Sequence, residues 1–192
     1  MRVGKEGRKT NETEITVKIE LDGNGESNIE TGIGFFDHML ELLAFHGHFN
    51  LLVKANGDLN VDTHHTVEDI GLTFGKAFLK ALGDKKGINR YSHIYIPMDE
   101  ALSRIVLDIS GRPYTSYKVN LKDYKLGDME TQSFKEFFVA FSNECKTTLH
   151  IESIYGENDH HIIESIFKGF GRALKESVKI TSTDTQSTKG VL

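Results

Sequence analysis

Apolar residues in the first half of the chain recur at two different spacings. In "ITVKIELDG", every second residue from Ile15 to Leu21 is apolar, which is typical of a half-buried strand, and residues 22–25 predict a turn after it. In "FFDHMLELLAF", the apolar residues are spaced as in a helix. "HFNLLVKANG" then predicts a strand that ends in an Asn-Gly turn, and "HHTVEDIGLTFGKAFLKALG" predicts a helix ended by Gly83.

The second half of the chain follows the same order. Strands are predicted in "HIYIPM", "RIVLDIS" and "YTSYKVNL", and a helix in "TQSFKEFFVAFSNE". A strand in "TTLHIESIYG" and a last helix, which begins at His160, complete the pattern. Strands and helices therefore interleave in both halves, which predicts an α+β fold.

The two helices that begin with a histidine pair are similar in sequence. Residues 64–81 and 160–177 align without a gap, with seven identities in eighteen positions, and "HHTVE" matches "HHIIE". The offset is half the chain length, so we interpret the match as an internal duplication. The polar segment "DKKGINR", residues 84–90, is the predicted boundary between the two copies.

Composition narrows the possible functions. A net charge of -5 offers no broad basic surface for nucleic acid, and no apolar run approaches the roughly 20 residues of a membrane-spanning helix. The first residues, "MRVGKEGRKTNETE", are charged and polar, so we expect no secretory signal and a cytoplasmic location. The single cysteine, Cys145, is expected to be a small buried residue without a catalytic role.

The two histidine motifs indicate metal binding. Residues three and four apart share one face of a helix, so the glutamate of each motif can join the first histidine at i,i+4 or the second at i,i+3. The other histidine then points to a different centre, which suits a bridge between two metal sites. Imidazole and carboxylate ligands without thiolate favour manganese, iron or zinc with open positions. A single isolated histidine more often has a structural role. The occurrence of the same motif in both copies of a duplicated unit makes a metal-ligand role the better interpretation here.

Each metal needs further ligands from elsewhere in the chain. His38 precedes His64 by twenty-six residues, and Glu136 precedes His160 by twenty-four, so the two occupy matching places in the repeat. The residues alone leave four other histidines as alternatives: His46, His48, His93 and His150.

Segments spread over the whole chain resemble the imidazoleglycerol-phosphate dehydratase family in both order and spacing. They are "TGIGFFDHMLELLAFHGHFNL", "DTHHTVEDIGLTFGKAF", "GINRYSHIYIPMDEALSR", "DISGRPY", "GENDHHIIESIFKGFGRAL" and "STKGVL". The resemblance implies the monofunctional form of this histidine-biosynthesis lyase. It implies two duplicated halves, residues 1–86 and 87–180, each a four-stranded, mostly antiparallel sheet with helices on one face. Residues 181–192 would form a C-terminal tail.

The resemblance also implies two Mn²⁺ ions per active site and a homo-oligomer of 24 subunits built from trimers. Carried over by position, the ligands of one ion are His64, Glu68, Glu136 and His160. Those of the other are His38, His65, His161 and Glu164. Many family members have a histidine at position 136, so Glu136 departs from the pattern while keeping a group that can ligate.

The family's reaction dehydrates D-erythro-imidazole glycerol phosphate to imidazole acetol phosphate. The proton on C2 of this substrate is not acidic, because no carbonyl group is adjacent to it. The imidazole ring must therefore supply the electron density that expels the hydroxyl group. Two metal ions on the imidazole nitrogens favour the imidazolate form, which expels the C3 hydroxyl. The family's general base is the glutamate of an "R-x-T-x-E-T" segment, here "RKTNET", which implies Glu12.

The phosphate end of a small substrate needs cations. Arginine offers a planar, always charged fork for phosphate oxygens, and the resemblance implies Arg90 in "GINRY" and Arg112 in "SGRPY". It further implies that Ser187 and Lys189 in "QSTKG" close over the phosphate and that His46 lines the same pocket.

Two other functional classes are compatible with such residues. A dinuclear metallohydrolase acting on phosphate esters would also use histidine and glutamate ligands near arginines. A non-catalytic, ferritin-like metal-binding module would use Glu-x-x-His on a four-helix frame, whereas here histidine precedes glutamate and strands interleave.

Overall fold

The computed structural model describes all 192 residues. The elements of the first half are β1 (Val3–Lys9), β2 (Thr13–Glu20), β3 (Ser27–Glu30), α1 (Gly34–Gly47), β4 (Asn50–Gly57) and α2 (His64–Leu82). Those of the second half are β5 (Tyr91–Met98), β6 (Ala101–Asp108), β7 (Tyr114–Lys118), β8 (Lys125–Leu126), β9 (Met129–Glu130), α3 (Ser133–Cys145), β10 (Thr148–Tyr155) and α4 (Asp159–Val178).

Each half forms one four-stranded sheet. The first has the order β1-β2-β4-β3 and the second the order β5-β6-β10-β7. In both sheets the last two strands of that order are parallel and the other neighbours are antiparallel. The two orders correspond strand by strand, which confirms the predicted fold of duplicated halves with mostly antiparallel sheets.

The helices of the two halves pack against each other between the sheets. Helix α2 contacts β1, β2 and β4 of its own sheet and α3 of the other half, while α4 contacts β5 and β6 and also α1. Buried phenylalanine rings join the halves, as in the pair of Phe36 and Phe137 with ring centroids 5.2 Å apart. One hydrophobic core therefore serves both copies. None of the four helices combines the length and apolar character that a membrane span requires.

Two glycines of "GLTFG" allow the close approach of α2 and α3. A Cβ atom at Gly71 would lie 2.7 Å from the Phe137 carbonyl oxygen, and one at Gly75 would lie 2.6 Å from that of Phe141. Any larger residue at these positions would push the helices apart. Because neither glycine has a side chain, the backbones of α2 and α3 can lie in direct contact at these two positions.

The sequence prediction of the strands was incomplete in four places. Strand β1, "VGKEGRK", has no apolar alternation, and it forms as an edge strand because β2 supplies its hydrogen-bonding partner. The short strand β3 and the β8–β9 hairpin were also not predicted. In addition, the strand predicted in "YTSYKVNL" ends at Lys118.

Candidate active site

All eight predicted metal ligands lie in the first two turns of the four helices. His38 is in α1, Glu136 is in α3, and the two motifs begin α2 and α4. The helix starts are close together in space. The Phe35 ring of α1 packs edge-on against Phe134 of α3 and His160 of α4, with centroid distances of 5.9 and 5.1 Å. The Thr63 hydroxyl, next to α2, lies 3.1 Å from that of Ser133 in α3.

One compact group of metal-ligand types contains His38, His160 and Glu164. Their ligand atoms all lie within 4.8 Å of one another. His160 Nε2 is 3.2 Å from Glu164 Oε2, so the glutamate of this motif pairs with the first histidine, at i,i+4. The group combines members of both predicted ligand sets. Two imidazoles and a carboxylate at this separation can chelate one divalent ion.

A second compact group contains Glu12, Asp58 and His65. His65 Nδ1 lies 3.0 Å from Asp58 Oδ2 and 3.8 Å from Glu12 Oε2. Glu12 is exposed in the turn between β1 and β2. In the same motif, His64 Nε2 lies 3.6 Å from Glu68 Oε2, again an i,i+4 pair.

The second histidine of each motif has a carboxylate partner on Nδ1. Asp58 contacts His65, and Glu100 Oε2 lies 2.8 Å from His161 Nδ1. Each hydrogen bond raises the pKa of its histidine, and the one from His161 lowers the pKa of Glu100 to about 2. With Nδ1 engaged, Nε2 is the nitrogen available to a metal ion, which is the common arrangement of metal-binding histidines.

No compact group combines residues from the two motifs of one chain. The three-residue groups contain His65 or His160, never both, and neither contains Glu136. Glu136 is half-buried in the first turn of α3 and faces a surface cavity lined also by Tyr117, Asn120 and Lys135. A single chain thus presents parts of both predicted four-ligand sets and completes neither.

Lys168 is a candidate binding residue that the sequence prediction missed. Its Nζ lies 2.5 Å from Glu164 Oε1, one turn further along α4. The nearby His46, in the last turn of α1, has a pKa lowered first by burial and then by the positive charges of Lys168 and Arg172. The i,i+4 spacing from Glu164 is the signal that could have identified Lys168.

Arg90 lies at the opposite end of α4. Its guanidinium pairs with both carboxylate oxygens of Asp108, at 2.7 and 3.2 Å, and donates to the Gln186 carbonyl oxygen at 2.7 Å. Its backbone N–H donates to the carbonyl oxygen of Ser177. Because a guanidinium has five N–H donors, two of its donors are free for a ligand.

Three other predicted phosphate-binding residues, Arg112, Ser187 and Lys189, belong to the second half or its tail, whereas His46 lies in α1 of the first half. Arg112 is exposed and donates to the Ser110 carbonyl oxygen at 3.3 Å. In the tail, the Ser187 hydroxyl oxygen accepts a hydrogen bond from the Lys189 N–H at 3.2 Å. The tail approaches Arg90 through Gln186, and a Cβ atom at Gly111 would lie 3.0 Å from the Leu192 carbonyl carbon.

The chain has close relatives among curated proteins and solved structures. It is 58% identical over 192 residues to the imidazoleglycerol-phosphate dehydratase of Clostridioides difficile (strain 630), with 100% of each chain covered. It is 55% identical over 191 residues to the enzyme of the same name from Caldicellulosiruptor saccharolyticus, which covers 100% of this chain and 98% of the relative.

Solved structures give the same result. The crystal structure of imidazoleglycerol-phosphate dehydratase from Staphylococcus aureus has a TM-score of 0.85 and 42% identity, covering 93% of this chain and 99% of that one. IGPD from Pyrococcus furiosus, in complex with (S)-C348, has a TM-score of 0.85 and 38% identity, covering 97% and 99%. The sequence profile of the family, described as imidazoleglycerol-phosphate dehydratase, matches residues 31–174. The chain therefore belongs to the imidazoleglycerol-phosphate dehydratase family.

Proposed function

We propose that this protein is a hydro-lyase that converts D-erythro-imidazole glycerol phosphate to imidazole acetol phosphate and water in histidine biosynthesis. The observation that carries the proposal is the group of His38, His160 and Glu164 within 4.8 Å, in a chain that matches the family over its whole length. The rival ferritin-like module is inconsistent with the two four-stranded sheets, since it requires a four-helix frame.

The donor atoms at the helix starts fit manganese. They are imidazole nitrogens and carboxylate oxygens without any thiolate, a set that suits a borderline ion with open coordination positions. We assign one ion to His64, Glu68, Glu136 and His160, and a second to His38, His65, His161 and Glu164. Bound there, the two Mn²⁺ ions would supply Lewis-acid stabilisation for negative charge that develops on the substrate's imidazole ring.

Glu12 is the proposed general base. Its carboxylate is exposed and lies 3.8 Å from His65 Nδ1, so it can reach a ligand bound beside the first motif. In the proposed reaction the C3 hydroxyl leaves, Glu12 takes the proton from C2, and the enol that results becomes the acetol product. A carboxylate within reach of the substrate can accept a proton as a general base.

The phosphate end of the substrate would contact Arg90, Arg112, Ser187, Lys189 and His46. Helix α4 runs seventeen residues from His160 to Ser177, a rise of about 26 Å. Arg90, bonded to Ser177, is therefore far from His160 of its own chain. A substrate with only three carbons between ring and phosphate cannot span that distance, which supports sites shared between subunits. We propose a homo-oligomer of 24 subunits built from trimers.

The chain divides into two repeats and a tail in our proposal. We propose two repeats, residues 1–86 and 87–180, and a tail, residues 181–192, that closes over the phosphate. Hydrogen bonds of Thr181 and Gly87 tie the tail to the start of the second repeat, which supports a lid that begins from a fixed point. The cytoplasmic location stays a prediction from the sequence.

A turnover assay with imidazole glycerol phosphate tests the proposed function. Metal-stripped protein is assayed before and after addition of Mn²⁺, and the acetol product and free phosphate are followed separately. We expect acetol product only with metal and no phosphate release. Phosphate release without acetol product would favour the metallohydrolase, and no reaction with reloaded protein would contradict the proposal.

A further inference from the structure

The connection between β7 and α3 is much longer than its counterpart in the first half. Residues 119–132 form this connection, here called the hairpin segment, and they include the β8–β9 hairpin. The equivalent connection between β3 and α1 has only the three residues 31–33. The duplicated halves therefore differ at this point, immediately before the helix that carries Glu136.

The hairpin segment caps α1. Asp128 Oδ2 accepts a hydrogen bond from the Gly34 N–H at 2.7 Å, and Asp128 Oδ1 accepts one from the Phe35 N–H at 3.1 Å. These are two of the N–H groups that a helix start leaves without an intrahelical partner. The residue at the cap position of α1, Ile33, offers no side-chain hydrogen bond. Asp128 thus supplies from a distance the cap that α1 lacks.

The same segment bonds to the start of α2. Glu130 Oε2 accepts hydrogen bonds from the Thr63 N–H, at 3.2 Å, and from the Thr63 hydroxyl. Thr63 is buried and directly precedes His64. Lys125, on the opposite strand of the hairpin, lies 2.5 Å from Glu130 and fixes the orientation of its carboxylate.

A third set of bonds reaches α4. Asp159 Oδ2 accepts hydrogen bonds from the Lys122 N–H at 2.6 Å and from the Asp123 N–H at 2.8 Å. Asp159 is buried and directly precedes His160. Since the segment continues directly into α3, it is connected to the starts of all four helices.

We propose that the hairpin segment sets the relative positions of the four helix starts, with Asp128, Glu130 and Thr63 as positioning residues for the metal ligands. The distances between a metal ion and its ligand atoms stay within about 0.2 Å of their usual values in a well-formed site. The cap residues of α1, α2 and α3 make no side-chain cap hydrogen bond. Asp62 accepts one from the His64 N–H at 2.8 Å, which caps α2 locally, and the bonds from the hairpin segment add the links between helices that such a local bond does not provide. The inference rests on the proposed metal site.

Mn²⁺ binding to four variants of the assembled protein tests this inference. Asp128→Ala removes the two bonds to α1, and Thr63→Val removes the hydroxyl bond to Glu130 while keeping the backbone one. Thr63→Ser keeps the hydroxyl, and Ser142→Ala is the control. Ser142 is buried near the C-terminal end of α3, and its hydroxyl donates to the carbonyl oxygens of Tyr114 and Thr147. Free Mn²⁺ is measured by electron paramagnetic resonance, and the melting temperature of metal-stripped protein reports stability.

We expect Asp128→Ala and Thr63→Val to weaken Mn²⁺ binding about tenfold or more, the range typical of residues that orient metal ligands. Thr63→Ser should retain the parent affinity, and Ser142→Ala should lower the melting temperature without changing the affinity. Parent affinity in Asp128→Ala and Thr63→Val, or an equal loss in Ser142→Ala, would overturn the positioning role. A parent protein that binds no Mn²⁺ would instead contradict the proposed function itself.

Discussion

Glu100 Oε2 lies 2.8 Å from His161 Nδ1, across the start of α4. Glu100 belongs to the turn between β5 and β6, which corresponds in the repeat to the turn that carries Glu12. The two turns thus deliver carboxylates to the second histidines of the two motifs, Glu12 at 3.8 Å and Glu100 at hydrogen-bonding distance. We interpret this as a division of roles, in which Glu100 orients a ligand and Glu12 remains free for chemistry.

Replacing Glu100 by glutamine is expected to weaken metal binding. The change removes the charge that fixes the tautomer and orientation of His161, and such changes typically cost about 10- to 100-fold in metal affinity. The measurement is Mn²⁺ affinity by isothermal titration calorimetry. Glu176→Gln, an exposed position at the other end of α4, is the control and should bind like the parent. Equal affinity in the two variants would contradict the orienting role.

Glu12→Gln should remove activity and leave metal content unchanged. Loss of a general base lowers kcat by about 10²- to 10⁴-fold, because an amide cannot accept the C2 proton. Turnover and bound manganese are measured on the same preparation. Glu14→Gln is the matched control, since Glu14 is exposed and paired with Lys9 at 2.7 Å on the same hairpin. Lost metal in Glu12→Gln would show that Glu12 is a ligand instead.

Gly4→Ala is expected to destabilise the protein. A Cβ atom at Gly4 would lie 1.8 Å from the Ala77 carbonyl oxygen of α2, so β1 must move away from the helix. Overpacking of this kind costs about 1–3 kcal/mol, sometimes more. At Gly7, in the same strand, the nearest atom would be 3.7 Å away, so Gly7→Ala should change stability by less than about 0.5 kcal/mol. Urea unfolding of both variants measures the difference, and equal stability would refute the close approach.

Glu130 is expected to make the stability of the metal-stripped protein depend on pH in the acid range. Burial raises the pKa of Glu130, but hydrogen bonds from Lys125 and Thr63 outweigh burial and bring it to about 2, below its ordinary value of 4.5. The ionised form therefore stabilises the folded state above pH 4.5, and this contribution is lost as the pH falls from 4.5 towards 2. The melting-temperature difference between parent and Glu130→Gln should shrink over that range. A difference that does not depend on pH would contradict the assigned ion pair.

The sequence pattern correctly predicted those elements that are determined by residues close together in the chain. Helix α2 begins at His64 and is followed by Gly83 with φ of 61°, as its spacing and terminal glycine indicated. In β2, the alternating residues from Ile15 to Ile19 are buried as predicted. Such features depend on residues within a few positions of each other, so the sequence displays them directly.

Features that depend on distant residues could not be predicted in this way. The β1 strand has two glycines and no apolar alternation, and only its pairing with β2 makes it a strand. The bonds from Asp128 to the start of α1 join residues more than ninety positions apart. The residue types at the site were predictable, but the grouping of His38 with His160 depends on how α1 packs against α4.

The unequal connections at residues 31–33 and 119–132 also have a consequence for symmetry. A pair of identical half-length chains would carry the same loop in both copies. The difference in loop length therefore requires two copies that were free to diverge. Because the two halves of this chain differ, a loop that occurs once per molecule can contact the starts of all four helices.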